Sequence, residues 1–225
     1  SQATYHTGVT LEMLHTASLV HDDVVDESDE RRGQLSVNAA FNNKISVLVG
    51  DYLLSTALQH SALTMQVKVV NVISQLGKEL SEGEILQLSN IDNQEISEGI
   101  YFEVIRKKTA ALFAACAQLG ALTAKASDTE AERFRLFGEK LGICFQIKDD
   151  ILDIYGNEKE IGKPLHSDEK NNKKTYITIN GIEKSEHDIV VMSEEACDIV
   201  SFLGNDVEER DFIIKLIKYL TDRTY

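Results

Sequence analysis

The sequence contains one proline and no tryptophan in 225 residues, with 43% hydrophobic residues. So little of the strongest helix breaker argues against a turn-rich β fold and for long helices. Positive charge is also scarce: 23 lysines and arginines face 37 acids, a net charge of −14. A nucleic-acid binder needs a basic face to displace counterions from phosphates, so that class is excluded. No apolar run reaches the roughly 20 residues that span a bilayer, and no signal-peptide pattern opens the sequence. The expectation is an all-α cytoplasmic protein with no transmembrane segment. The length suits one large domain with a sizeable core and would crowd two. Cys116, Cys144 and Cys197 are far apart and form no CxxC pair, which leaves zinc without a ligand pattern. Each sits among apolar neighbours, which predicts reduced, buried thiols.

Read with a helical period, the chain divides into long stretches separated by short polar breaks. Helices are expected over about 9–26, 37–63, 66–89 and 95–126, the last broken near Lys107–Thr109. Glu27 to Gly33 reads as a polar loop. Ser127-Asp-Thr-Glu130 is a capping-box pattern opening a helix to about Tyr155. Residues 156–168 read as a loop holding Pro164, and two or three further helices finish the chain. There is no low-complexity linker and no solenoid period.

The chemistry lies in the carboxylates. Leu19-Val-His-Asp22-Asp23-Val-Val-Asp26 and Gln146-Ile-Lys-Asp149-Asp150-Ile-Leu-Asp153 share the pattern Asp-Asp-x-x-Asp at the end of an apolar helix. Asp22 and Asp26 fall one helical turn apart on one face, and Asp149 and Asp153 repeat the spacing. Like charges so placed call for a hard cation. Magnesium takes oxygen ligands, typically one or two carboxylates plus substrate phosphates. Two such sets would clamp a phosphorylated ligand through several ions. Neither segment has the alternating ligands and glycine of a calcium loop. Arg31-Arg32-Gly33, Lys107-Lys108-Thr109, Gly162-Lys163 and Lys173 supply cations for a diphosphate.

The segment Glu12 to Gly33 resembles the first aspartate-rich region of the trans-isoprenyl diphosphate synthases, the polyprenyl synthetase family, and Phe145 to Asp153 resembles the second. Gly50-Asp51, Lys108-Thr109, Gly162-Lys163 and Lys173-Lys-Thr-Tyr176 match further signposts in the same order. The resemblance implies a bundle of roughly ten mostly antiparallel helices around a central cavity, of the isoprenoid synthase type, in a homodimer. It implies about three magnesium ions with bound diphosphate. Asp22, Asp26 and Asp149 would be metal ligands, with Asp23, Asp150 and Asp153 as further ligands or their support. Arg31, Lys108, Thr109, Gln146, Lys163 and Lys173 would hold an allylic diphosphate, and His15 and Arg32 would contact isopentenyl diphosphate. The implied catalytic set is Asp22, Asp23, Asp26, Lys108, Asp149, Asp150 and Lys163.

The implied reaction is trans-prenyl transfer, lengthening an allylic diphosphate by five carbons per step. Ser18 lies one turn before Asp22 and Ala17 beside it. In family members with short products bulky side chains often stand here, so two small residues predict a linear product of twenty carbons or more. Residues 168–176 look more like the short-chain synthases, and a farnesyl or geranylgeranyl product is the alternative. His166 stands where a glycine is common. The family's opening Gly-Lys and Arg-Pro pairs are not matched in residues 1–14, which predicts a single synthase domain over 1–225 lacking its N-terminal helices. A terpene cyclase is disfavoured by the second Asp-Asp-x-x-Asp. A non-catalytic partner subunit is disfavoured by the presence of both motifs.

Overall fold

The computed structural model describes residues 1–91, 97–156, 174–201 and 207–223. The chain divides into two compact units, one of Ser1–Gly77 with Leu119–Ala126 and one of Lys78–Gln118 with Ser127–Tyr225. Among the described residues no helix is long and apolar enough to cross a membrane.

In the first unit, α1 (Gln2–Val25) starts earlier than its apolar pattern suggests, because the Ser1 hydroxyl accepts the Thr4 amide. Thr10 is fully buried, and its hydroxyl donates to the His6 carbonyl at 2.8 Å, which removes the cost of hiding it. The expected loop after α1 is a small hairpin, β1 (Glu30–Arg31) against β2 (Gln34–Leu35). Its two-residue turn has positive φ at both Arg32 (53°) and Gly33 (75°), the geometry that suits a twisted hairpin. The expected single helix over 37–63 is two, α2 (Val37–Ala40) and α3 (Asn43–Leu63), because the Asn42 side chain caps the Ile45 amide and restarts the helix. α3 packs along α1. At Gly50 of α3 a Cβ would lie 2.1 Å from the His21 ring of α1.

Next come α4 (Val67–Ser89), α5 (Glu98–Ile105), a π-helical turn at Arg106–Ala110, and α6 (Ala111–Thr123). The break expected at Lys107–Thr109 is this π segment, a wider turn that keeps the helix continuous while shifting its face. α7 (Asp128–Tyr155) opens with the Ser127/Glu130 capping box and forms the spine of the second unit. Phe137, Leu141, Cys144, Ile147 and Ile151 line one buried stripe at helical spacing. α8 (Tyr176–Asn180), α9 (Ile182–Ser201) and α10 (Val207–Asp222) complete the unit. Ile189 packs with Ile147 and Ile151, while Val200 and Ile217 pack with Phe137 and Leu141. The loop expected over 156–168 lies, beyond Gly156, outside the described residues.

None of the cysteines is in a disulfide. Cys144 is buried as expected, and burial pushes its thiol up to about 12. Cys116 and Cys197 correct the expectation: Cys116 of α6 is exposed despite alanine neighbours in sequence, and Cys197 is only half-buried. Small residues beside a cysteine do not say which face of the helix it occupies.

At Gly138 a Cβ would stand 2.4 Å from the Phe113 carbonyl oxygen and 2.8 Å from the Ala114 Cα. Gly138→Ala should therefore destabilise the protein by about 1–3 kcal/mol through overpacking. A urea midpoint equal to the parent's would show that α6 and α7 can separate freely.

Candidate active site

The first acidic motif occupies the last turn of α1. The Asp23 carboxylate is 2% exposed and accepts from Arg31 Nε and Nη2, both at 2.7 Å. A buried carboxylate needs such a fork. The hydrogen bond to Asp23 is the largest cause raising the Arg31 pKa, with the charges of Asp23, Asp22 and Asp26 adding to it. Asp22 is half-buried and Asp26 exposed, so the pair one turn apart stays at the surface while Asp23 turns inward. The hairpin separates the two arginines that are adjacent in sequence: Arg31 turns back to Asp23, and Arg32 is exposed at the tip.

His15 is half-buried, and burial is the main cause lowering its pKa, with Arg32 and Arg31 lowering it further against Glu12. The imidazole is thus neutral near pH 7, a hydrogen-bonding group rather than a cation. Ala17 is buried, and the Ser18 hydroxyl donates to the His15 carbonyl at 2.8 Å. Sequence reasoning passed over His21. Its ring fills the space left by Gly50, donates to the Val47 carbonyl at 3.2 Å and lies 3.5 Å from Asp51. The signal was the Gly50-Asp51 pair, which gains its meaning only when α3 lies against α1.

The second motif sits near the end of α7. Asp149 is half-buried and bonded to Arg223, whose guanidinium also donates to the Phe145 carbonyl at 3.1 Å and covers the Phe145 ring. Arg223 was not foreseen: it is 74 residues away and carries no local signal. Asp153 is 2% exposed. Asp150 is 3% exposed and accepts three hydrogen bonds: from Tyr101 Oη at 2.7 Å, the Tyr176 amide at 2.7 Å and Gln146 Nε2 at 3.1 Å. Tyr176, itself 1% exposed, donates its phenol to Asp188 at 2.6 Å; burial raises its pKa, and the Asp188 hydrogen bond adds to the shift.

A cavity of about 190 Å³ opens in this unit. Lys108, Thr109, Gln146, Asp150 and Lys174 line it together with Ile91, Ile100, Val104 and Ile105. Four of the sequence-predicted residues therefore share one cavity. The Thr109 hydroxyl donates to Gln146 Oε1 at 2.8 Å, and Gln146 in turn donates to Asp150. That chain orients the amide from both ends. Lys108 pairs with Glu84, a residue the sequence reading did not single out. Lys163, Lys173, Gly162 and His166 lie outside the described residues.

Among the described residues no three histidine, cysteine or acidic side chains come together as a ready metal cage. A magnesium site completed by substrate phosphates does not require one, since one or two carboxylates per ion suffice. The donor set suits that ion: oxygens only, with Asp22 and Asp26 one turn apart, and with Asp149 half-buried and shared with Arg223.

A family model described as Polyprenyl synthetase matches residues 1–206. The chain belongs to the polyprenyl synthetase family. Within that family it is 42% identical over 165 residues to the octaprenyl diphosphate synthase of Escherichia coli K12, an alignment covering 73% of this chain and 51% of that protein. It is 34% identical over 232 residues to the geranylgeranyl diphosphate synthase of Sulfolobus acidocaldarius, covering 98% and 68%. A polyprenyl synthase from Caulobacter crescentus, solved with calcium and isoprenyl diphosphate, matches with a TM-score of 0.89 at 25% identity, covering 100% of this chain and 83% of that one. The chain spans about half the length of the octaprenyl synthase it matches. The all-α class expected from composition is that of the family.

Asp150→Ala should cost about 3 kcal/mol, because it strands three buried donors. Chemical denaturation followed by circular dichroism measures this. A variant as stable as the parent would mean that those donors find other acceptors.

Proposed function

We propose that this chain is a magnesium-dependent trans-prenyltransferase, condensing isopentenyl diphosphate with an allylic diphosphate into a linear polyprenyl diphosphate of twenty carbons or more. The observation that carries the reading is the cavity of the second unit. A lysine, a hydroxyl and an oriented amide share it with four branched aliphatic side chains. Such a lining suits an amphiphile with an anionic head and a hydrocarbon tail.

Asp22, Asp26 and Asp149 are the proposed magnesium ligands. The bound ions would neutralise the diphosphate and make it a better leaving group. Asp23 and Asp150, each buried and hydrogen-bonded, serve as supports for Arg31 and Gln146. Asp153 joins this buried set. Lys108 and Thr109 hold the allylic diphosphate with Gln146, and Lys163 and Lys173 are assigned to the same task from the motif order. Arg31 spends two N–H groups on Asp23 and keeps others for phosphate oxygens. His15, as a neutral donor, and the exposed Arg32 take the diphosphate of isopentenyl diphosphate. In the step itself the allylic carbon–oxygen bond breaks, the isopentenyl double bond attacks that carbon, and the released diphosphate accepts the proton. The aliphatic wall keeps water from the allylic cation.

Two lines of support bear on the remaining assignments. The names of both curated relatives denote products of twenty carbons or more. Ile45, Leu48 and Tyr52 form an exposed apolar row on α3, with Leu35 and Phe41 also exposed nearby in sequence. A second copy of the chain is proposed to cover this face, as a homodimer.

The test uses the purified chain with magnesium, farnesyl diphosphate and labelled isopentenyl diphosphate, with the lipids resolved by length. A ladder ending at a defined linear product is expected. A cyclised hydrocarbon, or no turnover, would move the assignment to a cyclase or a non-catalytic subunit. Asp22→Ala and Asp149→Ala should each lower turnover by more than about 100-fold while helicity is retained. Near-parental rates in either variant would remove these residues from the site. Replacing Ala17 and Ser18 together by phenylalanine should shorten the product. An unchanged ladder would show that product length is set by other residues.

A further inference from the structure

Lys108 owes its place to a contact with α4 that the motif order does not mention. At Gly83 a Cβ would stand 2.9 Å from Lys107 Cβ and 2.9 Å from the Lys108 amide nitrogen. The absence of a side chain there lets α4 and the π segment touch backbone to backbone. On either side of this contact a glutamate meets a lysine. Glu82 pairs with Lys107 at 3.1 Å, and Glu84 pairs with Lys108.

The two pairs are not equivalent. The Glu82 side chain is 40% exposed, and Lys107 has a second acid, Glu103, at 3.2 Å. Such a shared surface pair contributes little. The Glu84 side chain is 14% exposed, both of its oxygens are buried, and among the described residues the Lys108 ammonium is the one charge set against them. A carboxylate in that position depends on its cation. The dependence is mutual: the lysine has a flexible four-carbon stem, and Glu84 removes its freedom. An ammonium has three N–H groups, so one can stay with Glu84 while the others reach an anion in the cavity. One turn further along α4, Gln87 also lines the cavity, and its side-chain nitrogen is buried without an acceptor among the described residues. A buried donor without an acceptor beside a tethered cation points to an anionic ligand at this wall.

We propose that Glu84 is the positioning residue for Lys108. It holds the ammonium at the cavity wall before the diphosphate arrives, so that binding does not have to order a free side chain. Glu84 acts through Lys108. The identity of the substrate rests on the prenyltransfer reading; the Glu84–Lys108 coupling does not.

The experiment measures binding of inorganic pyrophosphate with magnesium to the whole chain by calorimetry, alongside steady-state kinetics with the allylic diphosphate. Glu84→Ala should weaken pyrophosphate and raise the allylic KM about tenfold each, with kcat within about twofold, since what is lost is the prior ordering of one long side chain. Glu84→Gln, whose amide oxygen still accepts from Lys108, should stay within about threefold. In a Lys108→Met background Glu84→Ala should change affinity no further, the signature of residues acting as one unit. Undiminished affinity in Glu84→Ala, or an equal loss with and without Lys108, would overturn the assignment and leave Glu84 a packing residue. If Glu84→Ala does not fold, Glu84→Gln decides: affinity within about threefold keeps the assignment, and a tenfold loss, which would show that charge and not placement matters, overturns it. If the parent chain binds pyrophosphate but elongates nothing, the prenyltransfer reading falls and the binding cycle still decides the role of Glu84. A parent chain that binds no pyrophosphate overturns the role of Glu84.

Discussion

The second unit depends on a passage of backbone squeezed between two helices at positions that have no side chain. The π segment meets α4 at Gly83 and α7 at Gly142, where a Cβ would stand 2.5 Å from the Ala110 Cα; just beyond, Gly138 admits the carbonyl of Phe113. With a side chain at any of these positions, the helices would have to move apart. The close fit has a chemical result. It holds the widened turn in place, and the widened turn presents Lys108 and Thr109 to the cavity beside Gln146 of α7. The same helix that supplies Gln146 supplies Asp149, Asp150 and Asp153, so the packing of α7 governs both cations and acids of this unit.

Buried acids are the second constraint. Asp23, Asp150 and Glu84 are all withdrawn from water in a chain that already carries a net charge of −14. Each is compensated by a distinct device: an arginine fork, three neutral donors, or a lysine tether. Each device also engages a cationic or amide side chain. Arg31 is oriented by Asp23, Gln146 by Asp150 and Lys108 by Glu84. Asp22 and Asp26 lie nearer the surface than Asp23. One motif of like-charged residues thus separates into buried and outward-facing acids according to which face of the helix each occupies, since neighbours in sequence point about 100° apart on a helix.

The helical frame was legible in the chain because its signals are local. Ser127 and Glu130 mark the start of α7, the stripe from Phe137 to Ile151 marks its buried face, and the run Lys107-Lys108-Thr109 marks the break before α6. The pairs of carboxylates were legible for the same reason: a spacing of four is a geometric statement about a helix. Where local signals compete, boundaries moved. A serine cap extended α1 backwards, and an asparagine cap split the helix expected over 37–63. The loop carrying the two arginines became a hairpin because Arg32 and Gly33 accept left-handed backbone.

The sequence by itself determined an all-α protein with two acidic helix ends, oxygen ligands for a hard cation and a family membership carried by ordered motifs. Only the tertiary structure decided which of those acids are buried against partners and which stay nearer the surface. Asp150 meets Tyr101 across 49 residues and the Tyr176 amide across 26, and Asp149 meets Arg223 across 74. Such partners share no period or spacing with the residues they hold. They are brought together when apolar faces pack, and that packing is non-directional and leaves no mark at the polar position it completes.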